Sequence, residues 1–116
     1  MDDFNARGWS NIHEAAYKGY TIAVTKFLNY AKDTGKLYLI DLKTIDEYNA
    51  TPLLIAALGG SLDCIKVLVD AGSVITETIK YKQKYDHGMV EIAVIKQDIN
   101  ILKYLYEKFK DIFKNF

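Results

Sequence analysis

The 116-residue chain contains one pattern three times, and this internal repeat constrains its fold more than any other feature. Residues 51–69 align with residues 10–28 after a shift of 41 positions, and with residues 88–106 after a shift of 37. Self-similarity at such a period is typical of stacked supersecondary units, in which each unit covers the apolar face of its neighbour. The sequence therefore predicts a short solenoid of about three units, the smallest number expected to be stable.

The central copy shows what one unit contains. The dipeptide Thr51-Pro52 suits a helix start, because threonine caps the first turn and proline does not need its missing N–H there. The pair Gly59-Gly60 ends that helix and allows a tight reversal. Ser61 then caps a second helix, which Gly72 ends. Each unit is thus predicted to be two short helices joined by a turn.

The same signals set the expected boundaries of all elements. The first copy carries an insertion at residues 31–38, which extends its outer helix toward Gly35, and a second insertion within residues 76–85 lengthens the finger before the third copy. In the third copy Gln97 stands where the others have glycine. The predicted inner helices are 11–18, 52–58 and 89–96, the outer helices are 21–33, 62–71 and 98–114, and the fingers are 36–50 and 73–87.

The second copy resembles the ankyrin repeat, a unit of about 33 residues, in its motifs TPL, AA, GG, IKVLV and AGS. The first copy keeps the histidine of that motif as His13, whereas the second has Leu54. The resemblance covers roughly residues 5–109. It implies an all-α fold, an ankyrin-type helix-turn-helix solenoid with hairpin-like fingers. We expect one domain over residues 1–116, with repeats near 5–45, 46–82 and 83–116.

Charge and cysteine content indicate which partner classes and which cellular compartment to expect. Fifteen basic and fifteen acidic residues balance, so we expect no nucleic acid and no membrane surface as partner. One cysteine, Cys64, permits no internal disulfide and favours a reducing compartment. The polar start MDDFNARGWSN is not a signal peptide, and no apolar run is long enough to span a membrane. The expected location is intracellular and cytoplasmic, with the nucleus as an alternative.

Residues that could support catalysis or metal binding are few and scattered. Two histidines and one cysteine do not make a zinc site. The resemblance gives His13 a structural hydrogen-bonding role, and Cys64 falls on an apolar helix position, where a small core residue is expected. The acidic pairs Asp2-Asp3 and Asp46-Glu47 are interpreted as solvated surface. We therefore predict no catalytic residue, no metal site and no cofactor, and the chain is not expected to be an enzyme.

The resemblance instead implies a protein partner. In ankyrin arrays, partners commonly contact the finger tips and the exposed face of the inner helices, which form a concave surface. Aromatic and arginine side chains are the usual interface anchors. The alternative is that Trp9 and Tyr48 merely cover the neighbouring unit. The positions carried over are Arg7, Trp9, Tyr17, Lys18, Tyr48, Leu58, Tyr85, His87, Ile95 and Lys96.

Two other surfaces offer alternatives. An apolar stripe near the end of the chain could fold back on the third copy, or it could support assembly as an oligomerisation element or as part of a longer array; a monomer is the expected state. The lysines of segment 79–85 could contact a phosphate or an acidic peptide, although a solvated loop is favoured. The stripe consists of Phe109, Ile112, Phe113 and Phe116.

Overall fold

Three helix pairs follow one another in the computed structural model, which describes residues 4–81 and 85–110. For residues 80, 81 and 85 it describes the backbone but not the side chain. Each predicted inner helix is confirmed to within one residue at either end, as are the starts of the outer helices. The inner helices are α1 (Asn11–Lys18), α3 (Pro52–Gly59) and α5 (Met89–Ile95), and the outer helices are α2 (Thr21–Asp33), α4 (Leu62–Asp70) and α6 (Ile99–Lys108).

The helix pairs stack side by side, so that the middle pair has a neighbour on each side. Helix α3 contacts both α1 and α5, and α2 contacts α4 in the outer layer. Residues 52–58 of α3 are all buried, which explains why this helix is apolar around its whole circumference. Cys64 on α4 is fully buried, as its apolar position predicted. The core therefore runs through the stack and centres on the second repeat.

The helix ends agree with the predicted cap positions in most cases, although Ser61 stands at the N-cap of α4 without the side-chain hydrogen bond expected of it. The Thr51 hydroxyl accepts a hydrogen bond from the backbone N–H of Leu54 at 3.4 Å, at the start of α3. Gly19 and Gly60 follow the first two inner helices with φ angles of 76° and 72°, the left-handed region in which glycine is not strained. Gln97 adopts the corresponding conformation in the third repeat, with a φ of 55°. The turn geometry of the repeat is thus kept even where its glycine is not.

Both insertions lie where expected, although one of them adds an element that was not predicted. After α2, residues Leu37–Asp41 form a 3₁₀ helix that buries Leu39 and Ile40 against the core. The second insertion forms an antiparallel hairpin of β1 (Ile79–Tyr81) and β2 (Tyr85–His87), in which Ile79 pairs with His87. This hairpin is the finger before the third repeat. Lys82 and Lys84 lie outside the described residues.

The last outer helix is shorter than predicted. A helix over 98–114 is wrong at its C-terminal end, because α6 stops at Lys108 and Phe109 leaves the helical region with φ −130° and ψ 59°. The Phe109 side chain is partly buried and packs against the core. The helix thus ends at the residue before the one whose ring packs against the core. The other members of the apolar stripe, Ile112, Phe113 and Phe116, lie outside the described residues, and a role of the stripe in assembly stays a prediction.

Candidate functional site

A cavity of about 420 Å³ opens beside the inner helices and draws its walls from all three repeats. This volume lies within the range typical of ligand pockets in proteins. Its walls come from the segment before α1, from α1 itself, from the finger before α3, from α3 and from the residue that follows α5. We call it the inner-helix cavity; it is lined by Arg7, Trp9, Tyr17, Asp46, Glu47, Tyr48, Leu58 and Lys96.

Trp9 forms part of the cavity wall and is held there by three neighbours. Its indole Nε1–H donates to Oδ2 of Asp46 at 2.6 Å. The Tyr17 ring meets it edge-on, with centroids 5.4 Å apart, and the Arg7 guanidinium lies 5.0 Å from its centroid. Only 5% of Trp9 is exposed. The tryptophan is therefore a fixed part of the wall, and the exposed aromatic surface beside it belongs to Tyr17.

Asp46 organises the finger before α3, which forms another part of the cavity wall. Its Oδ1 accepts from the Thr44 hydroxyl at 2.6 Å and from the backbone N–H groups of Tyr48 and Asn49 at 3.0 and 3.3 Å. Both carboxylate oxygens are thus occupied by donors of the chain itself. The interpretation of Asp46 as solvated surface is wrong, because this side chain is partly buried and joins the finger to Trp9 of the preceding repeat.

The position of Arg7 at the rim depends on Asn5 and Glu14. The Asn5 side-chain oxygen accepts from the backbone N–H groups of Arg7 and Trp9, both at 3.0 Å. The Arg7 Nε lies 3.4 Å from Oε1 of Glu14, which also accepts from the Asn5 amide at 2.9 Å. Sequence reasoning passed over Asn5, and no signal other than its short polar side chain before a turn could have suggested it.

His13 ties the first inner helix to the finger before α3. Its Nε2–H donates to the carbonyl of Leu42 at 2.6 Å, which assigns the proton to Nε2 because a carbonyl oxygen only accepts. The other ring nitrogen, Nδ1, accepts from the backbone N–H of Ser10 at 3.1 Å, with the Ser10 hydroxyl 2.8 Å away. Burial lowers the pKa of His13 and keeps the ring neutral. These contacts agree with the structural role expected of it.

Six of the ten predicted binding residues line the cavity, three others are not among its described walls, and the side chain of Tyr85 lies outside the described part of the structure. Trp9 and Leu58 lie in the cavity wall and are only 5% and 7% exposed, so neither projects toward solvent. Lys18 lies outside, with its Nζ 3.9 Å from Oε2 of Glu14. Ile95 is exposed but does not line the cavity, and Tyr85 and His87 belong to strand β2. The six are Arg7, Trp9, Tyr17, Tyr48, Leu58 and Lys96.

Known proteins share the repeat pattern of this chain. A sequence model of ankyrin repeats, in three copies, matches residues 12–115, which is most of the chain. The chain belongs to the ankyrin repeat family. Ankyrin repeats generally mediate protein–protein interaction, and members of the family are typically non-enzymatic interaction modules. The resemblance drawn from the repeat motifs is confirmed, and so is the ankyrin fold.

Two known ankyrin proteins illustrate the similarity. Over 75 residues, or 63% of this chain, the sequence is 35% identical to ankyrin repeat and SOCS box protein 2 of Bos taurus. The aligned part is only 10% of that longer protein. The crystal structure of the ankyrin repeat domain of Bcl-3, described as a unique member of the IkappaB family, superimposes with a TM-score of 0.48 at 17% identity. That superposition covers 90% of this ankyrin chain and 59% of the Bcl-3 domain.

Within residues 4–81 and 85–110, no group of three or more histidine, cysteine or acidic side chains is placed to hold a metal ion. In the same part of the ankyrin chain, no helix has both the length and the apolar character needed to cross a membrane. The inner-helix cavity, by contrast, gathers aromatic and charged side chains from three repeats.

Proposed function

We propose that this ankyrin chain binds a segment of a partner protein in the inner-helix cavity. The observation that carries the proposal is the composition of its walls: three aromatic side chains, one leucine and four charged groups drawn from three successive repeats. Protein interfaces are enriched in tyrosine, tryptophan and arginine, and these residues supply most hot spots. Solenoid proteins present such surfaces along the stacked faces of their repeats.

The contacts around the cavity favour a preformed site. Trp9 is fixed by Asp46, and Asp46 is fixed in turn by donors of its own finger. Arg7 is held by Asn5 and Glu14. Side chains that are already ordered lose little conformational freedom on binding, so more of the contact energy appears as affinity. Recognition would thus come from a rigid wall that needs little rearrangement.

Tyr17 is the side chain best placed to act as the anchor. It is 43% exposed, its ring rests edge-on against the buried Trp9, and it lines the cavity. A partner side chain packed on this ring would cover aromatic surface without displacing a core contact. We propose that Lys18, Ile95 and the β2 residues Tyr85 and His87 contribute only where a partner extends beyond the cavity.

Affinity capture from cell extract tests the proposal with matched variants. Tyr17→Ala and Lys96→Ala remove exposed cavity side chains, whereas Tyr38→Ala removes a 63% exposed tyrosine outside the cavity and serves as control. Trp9→Ala is unsuitable because it would also remove a buried wall and leave the Asp46 carboxylate without one of its donors. Circular dichroism and thermal melting should first show that all three variants are folded.

A protein retained by wild type and by Tyr38→Ala, but lost from Tyr17→Ala and Lys96→Ala, would support the proposal. Retention of the same proteins by all four would place the interface elsewhere and overturn it. The captured partner can then be titrated while the emission of Trp9 is recorded, since Trp9 is the one tryptophan of the chain and lines the cavity. Occupation of the cavity should change that emission.

A further inference from the structure

The charged groups around the inner-helix cavity are not equally free to meet a partner. Four of them line it: Arg7, Asp46, Glu47 and Lys96. Asp46 accepts hydrogen bonds on both oxygens, from Trp9 on one side and from its own finger on the other. Arg7 lies against both Glu14 and the Trp9 ring. These two charges already have partners within the chain.

Glu47 and Lys96 differ from that pair. Both are exposed, and neither side chain makes a hydrogen bond or an ion pair with any other residue in the described part of the chain. Glu47 lies on the finger before α3, and Lys96 directly follows α5. One free negative charge and one free positive charge therefore border the same cavity, on elements of different repeats.

Among the described residues, two positive and two negative groups line the cavity, so their formal charges balance. A purely acidic segment would be attracted by Lys96 but repelled by Glu47 and Asp46, and a purely basic segment would meet the reverse. Only a segment that carries both signs can satisfy both free groups. The rings of Tyr17 and Tyr48 and the Leu58 side chain line the same cavity as these two charges, and they are suited to contact an apolar residue.

We infer that the occupant of the cavity is a protein segment of dipolar character. It carries an acidic side chain opposite Lys96, a basic side chain opposite Glu47 and an apolar or aromatic side chain between them on Tyr17. This inference rests on the proposed function and adds to it the chemistry of the partner. The two charges set orientation and specificity, while the apolar contact supplies most of the affinity.

Selection from a phage-displayed library of random peptides tests this chemistry without a known partner. The library is selected at low salt on wild type and, in parallel, on the double variant Glu47→Lys with Lys96→Glu, after depletion on Tyr17→Ala. Both charges are exposed and unpaired within the described residues, so their reversal should leave the fold intact. Thermal melts of both proteins check this point before selection.

Wild type should enrich peptides with an acidic and a basic residue on opposite sides of an apolar one. The double variant should enrich the same composition in the opposite order along the peptide. Each single reversal should weaken binding of a wild-type peptide about three- to tenfold, and added salt should reduce that difference. These results together would establish the dipolar character of the segment.

Two other outcomes would overturn the inference, and they can be told apart. Peptides that carry one sign of charge, or none, yet still need Tyr17 for binding would refute the dipolar segment and leave the proposed function standing. Failure to enrich any peptide beyond the Tyr17→Ala background would count against both the dipolar segment and the inner-helix cavity as a peptide-binding site.

Discussion

The backbone of Gly59, the last residue of α3, lies directly against the backbone carbonyl of Tyr17 on α1. A Cβ built on Gly59 would overlap the carbonyl oxygen and would lie 2.9 Å from the carbonyl carbon and 3.0 Å from the Cα of Tyr17. Real Cβ atoms essentially never approach backbone so closely. The first two inner helices can thus pack at this distance only because residue 59 has no side chain.

This contact predicts that Gly59→Ala destabilises the protein. Helix propensity alone predicts a gain of about 0.5–1 kcal/mol from replacing glycine with alanine. The clash predicts the opposite sign, a loss of about 1–3 kcal/mol as α1 and α3 are forced apart. Urea unfolding followed by circular dichroism measures the sign directly. A variant as stable as wild type, or more so, would show that the helices move apart at little cost.

The hydrogen bond between Trp9 and Asp46 gives a second prediction. Asp46→Asn keeps the shape of the side chain but turns an N–H₂ group toward either the indole donor or the finger donors, so one set loses its acceptor. The expected loss is about 1–3 kcal/mol of unfolding free energy. The emission of Trp9 should also change, because the group that its indole N–H contacts is altered.

A neighbouring variant provides the control for charge. Glu47→Gln removes the same unit of charge one position away, from a side chain with no hydrogen bond or ion pair in the described part of the chain. Its stability should stay within about 0.5 kcal/mol of wild type. Equal losses in Asp46→Asn and Glu47→Gln would mean that net charge, and not the acceptor role of Asp46, controls this part of the fold.

The buried His13 makes stability dependent on pH in one direction. Burial lowers its pKa from the ordinary value of 6.5, so below pH 6.5 the unfolded chain binds a proton that the folded chain resists. The His13 contribution is therefore fully present above pH 6.5 and is lost as pH falls toward the lowered pKa. The slope contributed by this one group cannot exceed about 1.4 kcal/mol per pH unit.

This slope is tested by measuring the unfolding free energy of wild type and of His13→Leu at about pH 7.5 and about pH 5.5. Leucine is chosen because the second repeat carries Leu54 at the equivalent position. At the higher pH the variant should lose about 1–3 kcal/mol, since the carbonyl of Leu42 and the N–H of Ser10 lose their partner. Between the two pH values its stability should fall less than that of wild type. If the stability of wild type and of the variant falls equally between the two pH values, the pH dependence comes from groups other than His13.

Most of the helix boundaries could be predicted because they depend on local chemistry. The cap at Thr51 and the turn glycine Gly60 act on the residues beside them, so their effect can be inferred from a short stretch of sequence. The C-terminal end of α6 could not be predicted in this way. Its apolar spacing continues past Phe109, but the packing of that ring against the core is a tertiary contact.

The candidate site was predictable only in part, for a similar reason. Register within the repeats placed six residues around one cavity, since equivalent positions of stacked units face the same side. The burial of Trp9 and the role of Asp46 depend on a contact between residues 37 positions apart. Composition made Asp46 look like an ordinary surface acid, because nothing nearby in the sequence shows that an indole donor reaches it.

Gln97 supplies the last prediction, because it occupies a turn where the first two repeats use glycine. Its φ of 55° lies in the left-handed region, which costs a residue with a Cβ about 1–2 kcal/mol. Gln97→Gly should raise the unfolding free energy by about 0.5–1 kcal/mol, because relief of this strain exceeds the added chain entropy of glycine. Gln97→Ala keeps the Cβ and should change stability by less than half as much. A glycine variant no more stable than the alanine variant would show that the turn of the third repeat accepts a side chain without strain.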